Sequence, residues 1–211
     1  MADPKQKYYD KRGEVLVKNL QSRNFEAYYC TDKAAALAKA LELIPEGATI
    51  GWGGAMSAEQ IGLLEAMRSG NYKAIDRDTA KSPEERTEMM RQCLLTDYFI
   101  TGANALSMDG QMVNIDGMGN RVAAIVYGPK NVIVIAGMNK VVATVEDAMV
   151  RARTIAAPMN KQRFPIQTPC EVTGVCGNCK GMGICNQLLI TRNSNPPQRI
   201  KVILVGEDLG M

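Results

Sequence analysis

From Asp97 to Lys140 the sequence DYFITGANALSMDGQMVNIDGMGNRVAAIVYGPKNVIVIAGMNK alternates short apolar runs with turns built from Gly, Asn, Asp and Pro. A chain written this way makes strands whose connecting turns line a cleft with backbone. Asn and Gly tolerate left-handed backbone angles, and their small side chains let a ligand approach the main chain. The runs at Tyr98–Thr101, Met112–Ile115, Val122–Tyr127 and Val132–Ala136 read as strands. The last is apolar throughout, as expected for a strand covered on both faces.

The rest of the chain supplies helices and further strands. Asp10–Leu20 has mixed helical spacing, Phe25–Cys30 is aromatic and strand-like, and Lys33–Leu43 is rich in Ala and Leu. A turn at Pro45-Glu46-Gly47 precedes a short strand at Ala48–Gly51. Ser57, three residues before Gln60, has the spacing of a capping box and predicts a helix to about Arg68. Ser82-Pro83-Glu84-Glu85 opens a helix over Arg86–Leu95, and Thr144 with Asp147 opens one from Val145 towards Ala157. Residues 159–198 are rich in Pro, Gly, Asn, Gln and Cys with little periodicity, and Ile200–Val205 reads as a final strand. The expected fold is an α/β sheet flanked by helices, with a cysteine-rich irregular insertion before its last strand.

At 211 residues the chain fits one domain over residues 1–211, with the insertion at 159–198 inside it. No apolar run approaches the ~20 residues that a membrane span needs. The charged N-terminus MADPKQKYYDKRGEVLVKNL has no signal-peptide core, so a cytoplasmic location is expected, with no membrane partner. A net charge of +3 without a Lys/Arg stripe interleaved with aromatics argues against nucleic acid. The chain has no histidine, which excludes Ser-His-Asp and Cys-His chemistry and leaves carboxylates, Lys, Tyr, Cys and backbone amides.

Three constellations can carry chemistry. In Gly51-Trp52-Gly53-Gly54-Ala55-Met56-Ser57, glycines lie between a strand and a helix start, where free amides can meet a phosphate or carboxylate; the same glycines could simply turn the chain. The spacing is neither a P-loop nor a dinucleotide fingerprint. In Asn114-Ile115-Asp116-Gly117-Met118-Gly119-Asn120-Arg121, with Asn104 ahead of it, Asp116 is the candidate acid/base or cation ligand, Asn120 an amide donor and Arg121 an anion clamp. A plain β-turn uses the same residues. Lys130, Asn139 and Lys140 follow strands and would suit an anionic ligand. The third set is Cys170, Cys176, Cys179 and Cys185, spaced Cys-x5-Cys-x2-Cys-x5-Cys. Four thiolates can wrap zinc or an iron–sulfur cluster, with disulfides or free thiols as the alternative. The spacing is neither that of a zinc ribbon nor that of a bacterial ferredoxin. Cys30 and Cys93 stand apart and read as buried apolar residues.

In order along the chain, Gly51-Trp52-Gly53-Gly54, Asp97-Tyr98-Phe99, Asn104-Ala105, Asp109-Gly110, Asn114-Ile115-Asp116-Gly117, Gly119-Asn120-Arg121-Val122-Ala123, Gly128-Pro129-Lys130 and Gly137-Met138-Asn139-Lys140 resemble the LUD-domain family, the lactate-utilization proteins of the LutC/YkgG type. The resemblance covers roughly residues 5–160 and the last strand. It implies a NagB/RpiA/CoA-transferase-like fold with a cleft at the strand-end loops, and a link to oxidation of lactate to pyruvate beside iron–sulfur redox partner subunits. The cysteine segment resembles the tail of a shorter, cysteine-bearing branch. The family supplies no catalytic residue to carry over, and the fold alone names no reaction.

The leading expectation is an accessory or redox subunit that binds a small anionic metabolite in the cleft and an iron–sulfur cluster or zinc at the cysteines, with a homo-oligomer left open. An independent enzyme handling CoA, sugar phosphates or folates is the second reading, and a metal-stapled interaction module the third. If the cysteine segment folds back over the Gly51 and Asp116 loops, metal and cleft form one site; otherwise the segment is a docking device.

Overall fold

The computed structural model describes residues 3–181 and 183–211, so that Met1, Ala2 and Met182 lie outside the described residues. In chain order the first half runs α1 (Pro4–Ser22), β1 (Glu26–Cys30), α2 (Lys33–Leu43), β2 (Thr49–Trp52), α3 (Met56–Gln60), α4 (Leu63–Ser69), β3 (Lys73–Ile75), α5 (Pro83–Gln92) and β4 (Tyr98–Gly102). The second half runs β5 (Ala105–Ser107), β6 (Met112–Asp116), α6 (Asn120–Val126), β7 (Asn131–Gly137), β8 (Val141–Val142), α7 (Val145–Arg151), α8 (Ala157–Lys161), α9 (Pro169–Thr173), β9 (Gln187–Thr191) and β10 (Ile200–Val205).

The apolar run Val132–Ala136 lies in β7, paired in parallel with β10 on one side and β4 on the other. Its alternate residues enter opposite cores. Ile133 and Ile135 pack with Ala36, Leu63 and Met67, whereas Val132 and Val134 pack with Leu16, Leu20 and Met112. Helices thus cover both faces, which is why the run Val132–Ala136 carries no polar side chain. The whole six-stranded sheet, β1-β10-β7-β4-β2-β3, is parallel. From β2 the chain steps outward to β3 and returns to β4 on the other side of β2. Strand order therefore reverses between β2 and β4, and parallel α/β sheets open a crevice at the carboxyl ends of such a strand pair. A second sheet, β8-β5-β6-β9, packs against α7 and its continuation. Among the described residues no helix is long and apolar enough to cross a membrane.

Three expectations need correction. The run expected as a strand at Val122–Tyr127 is helix α6. Gly119 supplies a left-handed turn, and Asp116 Oδ2 accepts from the Arg121 and Val122 amides at 3.0 and 3.4 Å, so a cap five residues upstream decides what periodicity in a short apolar run cannot. Ser57 is not a cap either: α3 starts after Ala55 without a side-chain cap, and the helix expected to reach Arg68 breaks at Gly62, whose φ is +82°. Residues 159–198 are not irregular throughout, because α9 and β9 lie within them and β9 pairs antiparallel with β6. As an edge strand with only one neighbour, β9 needs little sequence periodicity. The helix from Val145 keeps its Thr144–Asp147 capping box but passes through a π-helical stretch, Ala152–Ala156, before α8.

Candidate functional site

At the crevice, β2 runs out into Gly53-Gly54, β4 into Ala103-Asn104, and β7 into Met138-Asn139-Lys140. Lys140 turns inward and is 4% exposed; its Nζ donates to Ser57 Oγ at 3.0 Å and to the Ala103 carbonyl at 3.1 Å. Burial, then the nearby Arg151 and Arg121 guanidiniums, push its pKa from the ordinary 10.5 down to about 7. Arg121, from the first turn of α6, lies over the glycines: a Cβ on Gly54 would sit 3.8 Å from its Nη1, and one on Gly53 3.3 Å from its Cβ. Its Nη2 donates to Asn104 Oδ1 at 3.1 Å and to the Ile115 carbonyl. Its Nε forms an ion pair with Asp116 Oδ1 at 3.8 Å, too far for a hydrogen bond, and is buried without a hydrogen-bond partner among the described residues. Arg151 reaches in from α7 to the carbonyls of Asn104 at 2.5 Å and Asn139 at 3.2 Å. Lys140 and the guanidiniums of Arg121 and Arg151 are thus buried close together; Asp116, 3.8 Å from Arg121, is itself occupied as the α6 cap, and Arg151 Nη1 also donates to a main-chain oxygen of Met211 at 3.3 Å. Burying charge is costly unless it is paired, so a cluster this rich in basic side chains would be stabilised by a small anion.

The segment after β10 lies across this crevice as a strap. The Leu209 amide donates to Asn139 Oδ1 at 3.1 Å and the Gly210 amide to Gln60 Oε1 at 2.6 Å. A Cβ on Gly210 would fall 2.8 Å from both Lys140 Nζ and Ser57 Oγ. Leu209 is buried in the same core cluster as Ala55 and Ala58, which anchors the strap over α3.

The cysteine segment folds back onto the Asp116 turn. The Asn186 amide donates to the Asp116 carbonyl and its side chain to that of Gly117, both at 2.9 Å, and β9 extends the pairing along β6. Cys170, Cys176, Cys179 and Cys185 all line one cavity of about 220 Å³, with Ile115 and Arg153 in its wall. All six cysteines are free thiols. Cys170 is buried, whereas Cys179 and Cys185 reach the surface. The Cys185 thiol is held above its ordinary pKa by desolvation and then by the three thiols facing it. Arg153, presented from the π-helical stretch, is steadied by Asn178 Oδ1 at 2.9 Å. Lys161, whose side chain is fully buried, pairs with Glu171 at 3.2 Å and so ties α8 to α9. A tetrahedral zinc needs four sulfurs about 2.3 Å from one point. Among the described residues no three Cys, Asp or Glu side chains converge in that way. The four cysteines instead share the lining of one cavity.

The model of the LUD domain family matches residues 13–205. The chain belongs to the LUD-domain family. A crystal structure of a DUF162 family protein from Deinococcus radiodurans superposes with a TM-score of 0.54 at 14% identity, covering 93% of this chain and 98% of that one, and so shares the fold. Ribose 5-phosphate isomerase A from Methanocaldococcus jannaschii matches 52% of this chain and 53% of its own, at 19% identity and a TM-score of 0.34, too partial to argue from. No curated protein matches.

In this LUD domain, Gly53, Gly54, Ser57, Asn104, Arg121, Asn139 and Lys140 come together at the crevice. Asn114 is buried beside them, its Nδ2 on the Gly102 carbonyl at 3.0 Å and its Oδ1 without a partner. Gly51 lies inside β2, where a Cβ would be 2.5 Å from Cys93 Sγ, so close packing explains it. Gly117 and Gly119 face the cysteine segment through Ile184 and Gln187, and Asn120 opens α6. Lys130 lies at the opposite, amino-terminal edge of the sheet, paired with Asp97 at 2.7 Å. Trp52 is a core residue with the Arg68 guanidinium 5.3 Å from its ring. Sequence reasoning missed Arg151, Arg153 and the strap. Arg151 had a readable signal, since it shares the apolar face of α7 with Ala148 and Ala152.

Proposed function

We propose that this LUD domain is a redox subunit of small organic-acid oxidation of the lactate-utilization type, carrying an iron–sulfur cluster in the cysteine cavity and a small carboxylate in the crevice. The observation that carries the reading is the convergence of all four clustered cysteines on one cavity. Cys170, Cys176, Cys179 and Cys185 would hold the cluster, which supplies one-electron transfer when bound. Arg153 sets a positive charge beside the thiolates and offsets part of theirs. Exposure of Cys179 and Cys185 leaves a short path to an iron–sulfur partner subunit at the surface.

The chain's own work lies in the crevice. The Arg121 guanidinium attracts the carboxylate beside Lys140, Gly54 lets it approach backbone, and the strap excludes water. Ile115 joins the two sites: its side chain lines the cysteine cavity, and its carbonyl accepts from Arg121. A ligand on Arg121 would therefore bear on the cavity wall through a single residue.

Metal analysis of anaerobically purified protein tests the reading. Iron with inorganic sulfide and a broad visible absorption lost in air is the expected result. Zinc alone would reduce the lobe to a structural staple for an interaction module. Protein without metal would leave the crevice to be tested as an independent enzyme site.

A further inference from the structure

Lys140 asks for more than electrostatics. A lysine that merely attracts an anion does so best as a solvated cation, yet this one is buried and has no carboxylate within ion-pair distance among the described residues. The charged groups facing it are Arg151 from α7 and Arg121 from α6, both cationic; the strap contributes the backbone of Gly210 and a main-chain oxygen of Met211, which accepts from Arg151 Nη1 at 3.3 Å, while Asp208 turns away to Lys5 and Tyr9. Desolvation beside another cation is how a lysine is kept neutral and nucleophilic.

We propose that Lys140 is a covalent site for a small 2-oxo acid, its amine condensing with the ligand carbonyl while the Arg121 guanidinium holds the carboxylate. The Nζ lone pair forms a C–N bond to the carbonyl carbon as the C=O π pair moves onto oxygen. Two protons then pass from nitrogen to that oxygen, which leaves as water, and an imine remains with no change in oxidation state. Ser57, whose hydroxyl already accepts from Nζ at 3.0 Å, is placed to relay one of those protons. Access requires the strap at 206–211 to lift, because Gly210 covers both atoms. The inference rests on the crevice being an organic-anion site and is independent of what the cysteines hold.

Glyoxylate, the smallest oxo acid, with cyanoborohydride as the trapping reductant, provides the test on the full-length protein. Peptide mass spectrometry should find a carboxymethyl group on Lys140, formed about tenfold or more faster at neutral pH than on the exposed Lys130, whose amine is protonated there. Labelling of Lys140 should rise to half its limit near pH 7, following its lowered pKa. Lys130 modified with Lys140 untouched overturns the proposal. Oxalate, an anion without an electrophilic carbonyl, separates the two layers. If it raises the melting temperature while no adduct forms, the anion site stands and the imine falls. If neither is seen, both fall.

Discussion

Lys140 places an amine where its charge is disfavoured, and this makes the stability of the protein depend on pH in a definite direction. Folded, the amine titrates near 7; unfolded, near the ordinary 10.5. Between those values the unfolded chain binds the extra proton, so stability rises with pH across that window, and the penalty is full below about 7. Lys140→Met keeps the packing and removes the charge. Relative to this variant, the wild type should gain stability steadily as pH climbs from about 7 towards about 10, by urea unfolding at a series of pH values. Parallel curves would show that Lys140 carries its proton freely in the native state. At this scale the sequence was legible for residue type and less so for role. Asp116, read as a candidate acid/base, spends its carboxylate on two α6 amides, and no turn motif distinguishes a reactive carboxylate from a capping one. Lys130 and Lys140 look alike as lysines that follow turns, yet one is solvated beside Asp97 and the other is buried, which only the strand order decides.

At the scale of elements, the parallel strands were legible because burial on both faces writes an apolar run, as in β7 and β10. Their order was not, since it depends on contacts remote in sequence. α6 was misread because RVAAIV satisfies strand and helix equally. β9 was missed because an edge strand carrying exposed Leu188 and Ile190 shows no clean alternation. That strand and α9 hold the cysteine lobe to the main sheet through β6 and the Lys161–Glu171 pair. The lobe should therefore loosen as a unit when one of the proposed metal ligands is removed. In Cys176→Ser, hydrogen exchange should quicken over residues 166–191 while β4, β7 and β10 keep their protection. Loss of protection throughout the sheet would mean that the cysteines support the fold of the main domain as well.

For the whole molecule, the LUD domain reads as two chemical centres sharing one wall. The crevice at the β2–β4 reversal gathers Lys140, Arg121 and Arg151 under a strap, and the cysteine cavity lies on the other side of Ile115. The cysteine spacing announced a cluster of thiols but not its neighbour, because the fold-back onto the Asp116 turn is made by Asn186 and β9, residues without a motif. The account depends most on the four thiols acting as ligands of a single redox centre. Electron paramagnetic resonance of the dithionite-reduced protein, in the wild type and in the four single serine variants of Cys170, Cys176, Cys179 and Cys185, tests this directly. The account predicts one low-temperature cluster signal in the wild type, lost or altered in every variant and retained in Cys30→Ser. A wild type without signal, or one whose signal is unchanged by any of the four substitutions, would contradict it.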